Sequence, residues 1–338
     1  MQAKVMLISD LNEFELISIL SKVLDQGHAS WGASDMNHLD LAIANGDDAA
    51  AWTPNSNYEV FTMDTCVENV HFKSEFSSWH DIGWKALASN ISDIASMGAQ
   101  PLYGLVTLGL PPTVNVQDLK EMYQGFADIS GEYKMMMVGG DIVKSENVFI
   151  SISLIGGASQ SPLTRSRAKV GDSIILTGPV GSSKGGLLLS QQGLNSYDEH
   201  QTVLINKHCK PYPHVAQGLV LSSISNACAM DVSDGVFSDL TKLCESSDCG
   251  AILHSESLPV DTELIKCFPD DFLKIAMSGG EDYVLLATVP TNQTEKLKQD
   301  INVSIIGEIT PKDQGITVVA ADGSKYDHND FLGWDHFR

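Results

Sequence analysis

The sequence predicts a two-domain α/β protein. Its 338 residues leave room for two cores on the usual range of domain sizes. Short alternating or wholly apolar runs that read as strands are interleaved with longer runs whose apolar residues recur every three and four positions, as helices require. The apolar share, 43%, is that of an ordinary globular chain, so both cores can be filled.

The charge narrows the partners. The formal net charge is −22 and no run of Lys and Arg interrupts it, which argues against a nucleic-acid backbone as ligand. An acidic total either serves solubility or builds a metal-loaded site for an anionic substrate. The six cysteines (66, 209, 228, 244, 249, 267) form no C-x-x-C pair and no His/Cys set with zinc spacing. They read as reduced, mostly buried thiols. The opening MQAKVMLISDLNEF lacks the apolar core of a signal peptide, and no run has the apolar length of a membrane helix, so the expected location is the cytoplasm.

Taken in order, Asp10-x-x-Glu13 has the form of a capping box, and Phe14, Leu16, Ile17, Leu20 and Val23 make a helical stripe behind it. Residues 26–40, with Gly27, Ser30, Gly32, Ser34 and Asn37, read as loop. Gly46-Asp47-Asp48 follows an apolar run; in a strand the two carboxylates would point to opposite faces, so one of them, Asp48, is taken for a site. Tyr58 to Thr62 reads as a strand ending at Met63-Asp64-Thr65, with a loop through Glu68, Asn69 and His71. An Asp at a strand end is commonly a turn former and sometimes a metal ligand. Gly83 to Pro101 holds the central helix: Trp84, Leu87, Ile91, Ile94 and Ala95 share a face, Gly98 is the C-cap and Pro101 the stop. Asn90, Ser92 and Asp93 interrupt that apolar helix, and a carboxylate near its buried end needs donors or a cation.

Leu102 to Leu110 reads as a strand and Val116 to Tyr133 as a helix. Lys134 to Val138 is a strand running into Gly139-Gly140-Asp141, whose glycines make a tight turn or let a ligand approach the backbone, and Val148 to Ile155 alternates as a half-buried strand. In the second half, Arg165, Arg167 and Lys169 come nearest to a basic cluster. A strand at 174–177 meets the glycine-rich run 178–186, which has neither phosphate-loop nor dinucleotide spacing and reads as a flexible loop opening a helix. Met230-Asp231-Val232-Ser233-Asp234-Gly235 is a strand–turn–helix junction with Ser233 or Asp234 as N-cap, and backbone amides at such a helix start can hold a phosphate. Ser278-Gly279-Gly280-Glu281-Asp282 is a second acidic turn before a strand at 283–289, and Trp334 belongs to an aromatic tail that reads as a surface latch.

Asp48, Asp64, Asp93, Asp141, Asp231 and Asp234 each stand at an expected element end beside small residues. Singly, each is more often structural. Together they form an oxygen-only inventory suited to Mg²⁺, an ion held by one or two carboxylates plus substrate phosphates, so several ions and a polyphosphate are expected. Uncompensated carboxylates that close would raise one another's pKa. The residues alone stop here, at a magnesium–polyphosphate-binding α/β protein with no acceptor named.

The chain resembles the thiamine-monophosphate kinases of the aminoimidazole-ribonucleotide synthetase-like ATP-binding superfamily. The resemblance runs nearly end to end, through GDDAA (46–50), MDTCVENVHF (63–72), GWKALASNISDIASMGAQP (83–101), VGGD (138–141), LTRSRAKVGD (163–172), MDVSDGVFSDL (230–240), SGGEDYVLL (278–286) and GWDHF (333–337). It implies an N-terminal domain, 1–158, with a mixed sheet and flanking helices that binds ATP and Mg²⁺ and dimerises. It implies a C-terminal α/β sandwich domain, 159–338, that completes the active-site cleft. The implied reaction is ATP plus thiamine monophosphate giving ADP plus thiamine diphosphate, by direct in-line transfer. Asp48, Thr62, Asp64, Asp93, Asp141, Asp231 and Asp234 would hold metal; Tyr123, Gly140, Asp141, Arg165 and Ser233 would meet ATP; His71, Glu281 and Trp334 would meet the thiamine moiety.

Two positions depart from the family pattern. Met63 stands where Thr is usual, and a thioether is a poor Mg²⁺ ligand; Asn69 stands where Gly is usual, though Asn tolerates left-handed turns. The competing enzymes are paralogues on the same scaffold acting on another acceptor. The absence of a cysteine before Cys66 or at the C-terminal end speaks against selenophosphate synthetase and the hydrogenase-maturation enzyme. A non-catalytic nucleotide-binding module is the alternative of another class, set aside because all six aspartates are present.

Overall fold

A computed structural model describes residues 6–29, 31, 39–43, 49–193, 196–331 and 333. The chain divides into two compact units, Met1–Ile94 with Gln100–Ser159, and Ala95–Ala99 with Gln160–Arg338.

The first unit runs α1 (Glu13–His28), β1 (Leu41–Ile43), β2 (Ala51–Trp52), β3 (Tyr58–Val67), α2 (Trp79–Ser96), β4 (Gln100–Leu110), α3 (Val116–Tyr133), β5 (Met136–Lys144) and β6 (Phe149–Ala158). Its sheet has the order β3-β6-β4-β5 and is mixed: β4 and β5 are parallel, the other pairs antiparallel. Strand β6 alternates along its length, with Ile150, Ile152 and Leu154 buried, as a strand with one packed face must. Leu87, Ile91 and Ile94 of α2 and Leu119, Met122, Phe126 and Ile129 of α3 are fully buried. The two helices touch backbone to backbone. A Cβ at Gly83 would lie 2.1 Å from the Met122 carbonyl oxygen, and one at Gly125 would lie 2.0 Å from that of His80.

Several sequence expectations shift here. The capping box of α1 is Asn12 with Glu15, not Asp10 with Glu13: Asn12 Oδ1 accepts the Glu15 amide at 3.0 Å and Glu15 Oε2 the Asn12 amide at 2.9 Å. Of its stripe Leu16, Leu20 and Val23 are buried, joined by Leu24, while Phe14 is 80% exposed. Strand β3 does not end near Asp64, because all ten of its residues pair with β6. Strand β5 continues through Gly139, Gly140 and Asp141. Glycine is required at 140 by the neighbouring strand, since a Cβ there would meet the Val106 oxygen at 2.1 Å. Pro101 is not a stop before the strand but lies inside β4, paired with Gly156 of β6 and ahead of Tyr103, where pairing with β5 begins. Gly98 is left-handed (φ 68°), as a helix-terminating glycine should be.

The second unit runs β7 (Ser173–Leu176), α4 (Ser182–Gln191), α5 (Glu199–Cys209), α6 (Val215–Ser222), β8 (Cys228–Asp231), α7 (Val236–Ser247), β9 (Gly250–His254), α8 (Thr262–Cys267), α9 (Phe272–Ser278), β10 (Leu285–Val289), α10 (Thr294–Asp300), β11 (Ser304–Thr310) and β12 (Ile316–Val319). Its sheet order is β12-β9-β11-β7-β10-β8, with β12 and β9 parallel. The wholly buried strands β7 and β10 lie inside it, and Leu240 and Leu243 of α7 join Leu176, Leu286 and Ile306 in one core. The glycine-rich run 178–186 is not a loop throughout, because α4 begins at Ser182 behind a left-handed Gly181 (φ 86°). The N-cap of α7 is Gly235 (φ 121°), not Ser233 or Asp234.

The Gly83 contact generates a test. Gly83→Ala drives a methyl group into a main-chain oxygen and is expected to cost ~1–3 kcal/mol of overpacking. The measurement is urea unfolding, where the midpoint should fall with the slope unchanged.

Candidate active site

In the first unit, the face of α2 that interrupts its own apolar pattern meets β3. Thr62 Oγ1 donates to Asp93 Oδ2 at 2.5 Å, and the Asp64 amide donates to Asn90 Oδ1 at 3.1 Å. Asn90 is fully buried and is held from below by its amide group, which donates to the Ala86 carbonyl at 3.1 Å. Asn90 and Asp93 are one helical turn apart, and Thr62 and Asp64 two residues apart on one strand face, so both periods converge on the same place. Met63, between them, points to the other face and is 63% exposed, which takes its thioether away from these oxygens.

Asp141 does not join this group. Through the sheet register, Asp64 pairs with Ile152, Ile152 with Val106 and Val106 with Gly140, so Asp141 is one residue out of the row and its side chain leaves the opposite face. Strands β3 and β5 are also the two outer strands, roughly 14 Å apart at the usual spacing. Gly140 and Asp141 are exposed; Tyr123 is 7% exposed, and burial pushes its phenol well above the usual range. His71 Nδ1 accepts the Val67 amide at 3.1 Å, pinning its ring to the end of β3, and Asn69 takes the left-handed turn (φ 67°).

In the second unit, Asp231 closes β8 and is buried. The turn after it is organised by a residue that the sequence did not single out, Asp239. Its Oδ2 accepts the amides of Ser233 (3.0 Å), Asp234 (3.0 Å) and Gly235 (3.1 Å). Those amides are therefore committed to a carboxylate within the chain, which corrects the expectation that this helix start offers them to a phosphate. Lys242 closes the arrangement, with Nζ on Asp239 Oδ1 at 2.7 Å and on Asp234 Oδ2. Burial raises the pKa of Asp239 against the pull of Lys242. Burial also works against the charge on Lys242, but its bonds to the two aspartates outweigh this and hold it above the ordinary lysine range.

The second acidic turn leans on the first: the Glu281 amide donates to the Ser233 carbonyl at 2.9 Å, and a Cβ at Gly280 would lie 2.1 Å from that same oxygen. Glu281 (φ 64°) and Tyr283 (φ 51°) are both left-handed. Arg165 is exposed, and its carbonyl accepts Ser247 Oγ at 2.6 Å. Asp48 and Trp334 lie outside the described residues. Asn90 stands out in the sequence as a polar interruption of the helix, and its place one turn before Asp93 is the signal for the role it takes on the Asp64 amide. Asp239 and Lys242 carry the ordinary signature of an acidic first turn and an i,i+3 ion pair, which any surface helix shows. Among the described residues no three carboxylate, imidazole or thiol groups form a ready-made metal cage.

Two family models match the chain: AIR synthase related protein, N-terminal domain, over residues 46–158, and the C-terminal domain of the same proteins over 169–320. The thiamine-monophosphate kinase of Bacillus subtilis is 34% identical over 313 residues, covering 90% of this chain and 96% of the relative. The crystal structure of a thiamine-monophosphate kinase from Stenotrophomonas maltophilia superposes with a TM-score of 0.79 at 31% identity, covering 91% of this chain and 97% of that one. AaThiL complexed with AMPPCP and TMP gives 0.76 at 29% identity, covering 99% and 100%.

If Asp239 shapes the 233–235 turn, Asp239→Asn, which keeps one acceptor oxygen and loses the charge beside Lys242, should cost ~1–3 kcal/mol. Differential scanning calorimetry would read this as a lowered melting temperature.

Proposed function

The chain belongs to the thiamine-monophosphate kinases of the AIR synthase related family, and from that premise we propose how its residues serve the reaction. The enzyme phosphorylates thiamine monophosphate with ATP, giving thiamine diphosphate and ADP. The observation that carries this is the near full-length similarity to AaThiL complexed with AMPPCP and TMP. Relatives 31–35% identical are kinases of this one kind, which does not favour another acceptor.

The acceptor oxygen belongs to a phosphate monoester whose second pKa is about 6, so it is a nucleophile at neutral pH without a general base. What the protein must supply is position and charge neutralisation. Asp48, Thr62, Asp64, Asp93, Asp141, Asp231 and Asp234 are the proposed Mg²⁺ ligands, with Asp141, on the other face of the sheet, holding a different ion from Thr62, Asp64 and Asp93. The donor set fits a hard cation in kind, being carboxylate and hydroxyl oxygen, and Lys242 already places a positive charge on Asp234. Magnesium, when bound, neutralises phosphate charge and orients the phosphoryl group. Tyr123, Gly140, Asp141, Arg165 and Ser233 are the proposed nucleotide contacts, with the exposed Arg165 guanidinium offering a fixed donor fork. His71, Glu281 and Trp334 are the proposed contacts of the thiamine moiety, with the Glu281 carboxylate opposite the thiazolium charge.

We further propose a homodimer built on the sheet of the first unit. Phe61 (69% exposed), Met63 (63%) and Leu105 (47%) share the face turned away from α2, and a second copy would cover them. A cytoplasmic setting suits the free thiols of Cys228, Cys244, Cys249 and Cys267.

The reaction is tested by chromatography of the products from ATP, Mg²⁺ and either thiamine monophosphate or thiamine. Thiamine diphosphate should form from the monophosphate alone. Asp93→Asn and Asp231→Asn should each lower turnover by roughly 10²-fold or more while remaining folded; activity within a few-fold of wild type would remove that residue from the site. The dimer is tested by sedimentation velocity, where Phe61→Asp should convert a two-chain particle to a single chain.

A further inference from the structure

The turn that carries Glu281 is held on two sides. Its main chain lies against 232–234: Glu281 donates to the Ser233 carbonyl at 2.9 Å, Tyr283 to that of Val232 at 3.1 Å, and Val232 to that of Val284 at 2.8 Å. On the other side stands Asp282, a half-buried residue outside the metal, nucleotide and substrate assignments above. Its carboxylate grips the start of α4 with both oxygens, Oδ2 accepting the Gly181 amide at 2.5 Å and Oδ1 the Ser183 amide at 2.9 Å. These are amides that a helix leaves without internal acceptors, at its positive end, so an anion there is strongly favoured. Ser183 extends the same hold: its hydroxyl lies 3.0 Å from His208 Nδ1, and that nitrogen lies 3.8 Å from Glu281 Oε2.

The backbone needs such a hold. Glu281 and Tyr283, on either side of Asp282, are both left-handed, a conformation that side-chain-bearing residues adopt only where their surroundings impose it. Left to itself the turn would relax, and the Glu281 carboxylate would move with it.

We propose that Asp282 is a positioning residue, which by clamping the N-terminus of α4 fixes the left-handed Glu281–Tyr283 turn and so aims the Glu281 carboxylate at the cationic ring of the substrate. This rests on the reading that Glu281 faces the thiazolium. Burial pushes the Asp282 carboxyl up to about 7, against its two amide bonds. The charges that face it are Asp261, which raises it further, and Lys207, which lowers it; His208, Glu281 and Lys184 are the other titratable neighbours. Protonation removes the anion from the helix start, so the clamp weakens as pH falls through neutrality.

The experiment is steady-state kinetics on wild type, Asp282→Asn, Glu281→Gln and the double variant, across pH from about 6 to about 9. Asp282→Asn should raise KM for thiamine monophosphate roughly 10-fold, a displacement-sized effect, with kcat and KM for ATP nearly unchanged. In the Glu281→Gln background it should add nothing, because the two act as one unit. Wild-type KM should climb below pH about 7 and that break should be missing in Asp282→Asn; the substrate's own phosphate titration affects both proteins alike. If Asp282→Asn does not fold, Ser183→Pro deletes one clamping amide in the first helical turn, where no intrahelical bond is lost, and should raise the same KM. An unchanged KM, additivity with Glu281→Gln, or a break that survives in Asp282→Asn overturns the proposal while the Glu281 reading stands. If Glu281→Gln alone leaves KM for thiamine monophosphate unchanged, both fall.

Discussion

The second unit is arranged around one buried carboxylate. Asp239 has no exposure to solvent, and a charge so placed is tolerable only when donors surround it. Three consecutive amides and an ammonium do so, and in return the chain from Ser233 to Gly235 is fixed in a shape it would not hold by itself. The carbonyl of Ser233, turned outward by that shape, supports the next acidic turn. Ser233 and Asp234 directly, and Glu281 through the Ser233 carbonyl, therefore owe their positions to a residue outside the proposed metal, nucleotide and substrate contacts.

The first unit solves the same problem without a buried ion pair. Asn90, neutral and fully enclosed, accepts the amide of Asp64, and Thr62 donates to Asp93. A neutral amide is far cheaper to bury than a carboxylate, so the helix can stay apolar on the rest of that face. The Asp93 carboxylate is only part-buried and accepts the Thr62 hydroxyl.

Much of this was legible in the sequence. The strong periodicity of 116–133 and the alternation of 148–155 marked α3 and β6, and the acidic turns at 231–234 and 278–282 were visible as motifs. What was not legible was set by partners distant in the chain. Asp64 and Asp141 looked like strand-end residues because glycine and small residues surround them, yet sheet pairing carries both strands onward. Gly140 looked like room for a ligand and is room for Val106. The helix start at Gly235 looked like an open anion site, because nothing local tells that Asp239 folds back to fill it. That Asp141 leaves the opposite face from Asp64 could be learned only from register, which a single strand does not contain.

The contact of α2 with α3 also restricts how this sequence can drift. At Gly83 and Gly125 the atoms that forbid a side chain are main-chain oxygens of Met122 and His80, not side chains. Exchanging Met122 or His80 for something smaller would not move those oxygens. No single compensating substitution exists, so the two sites behave as a lock without a second key. A lineage could escape it only by separating the helices, and with them the Asn90–Asp93 face that α2 presents to β3.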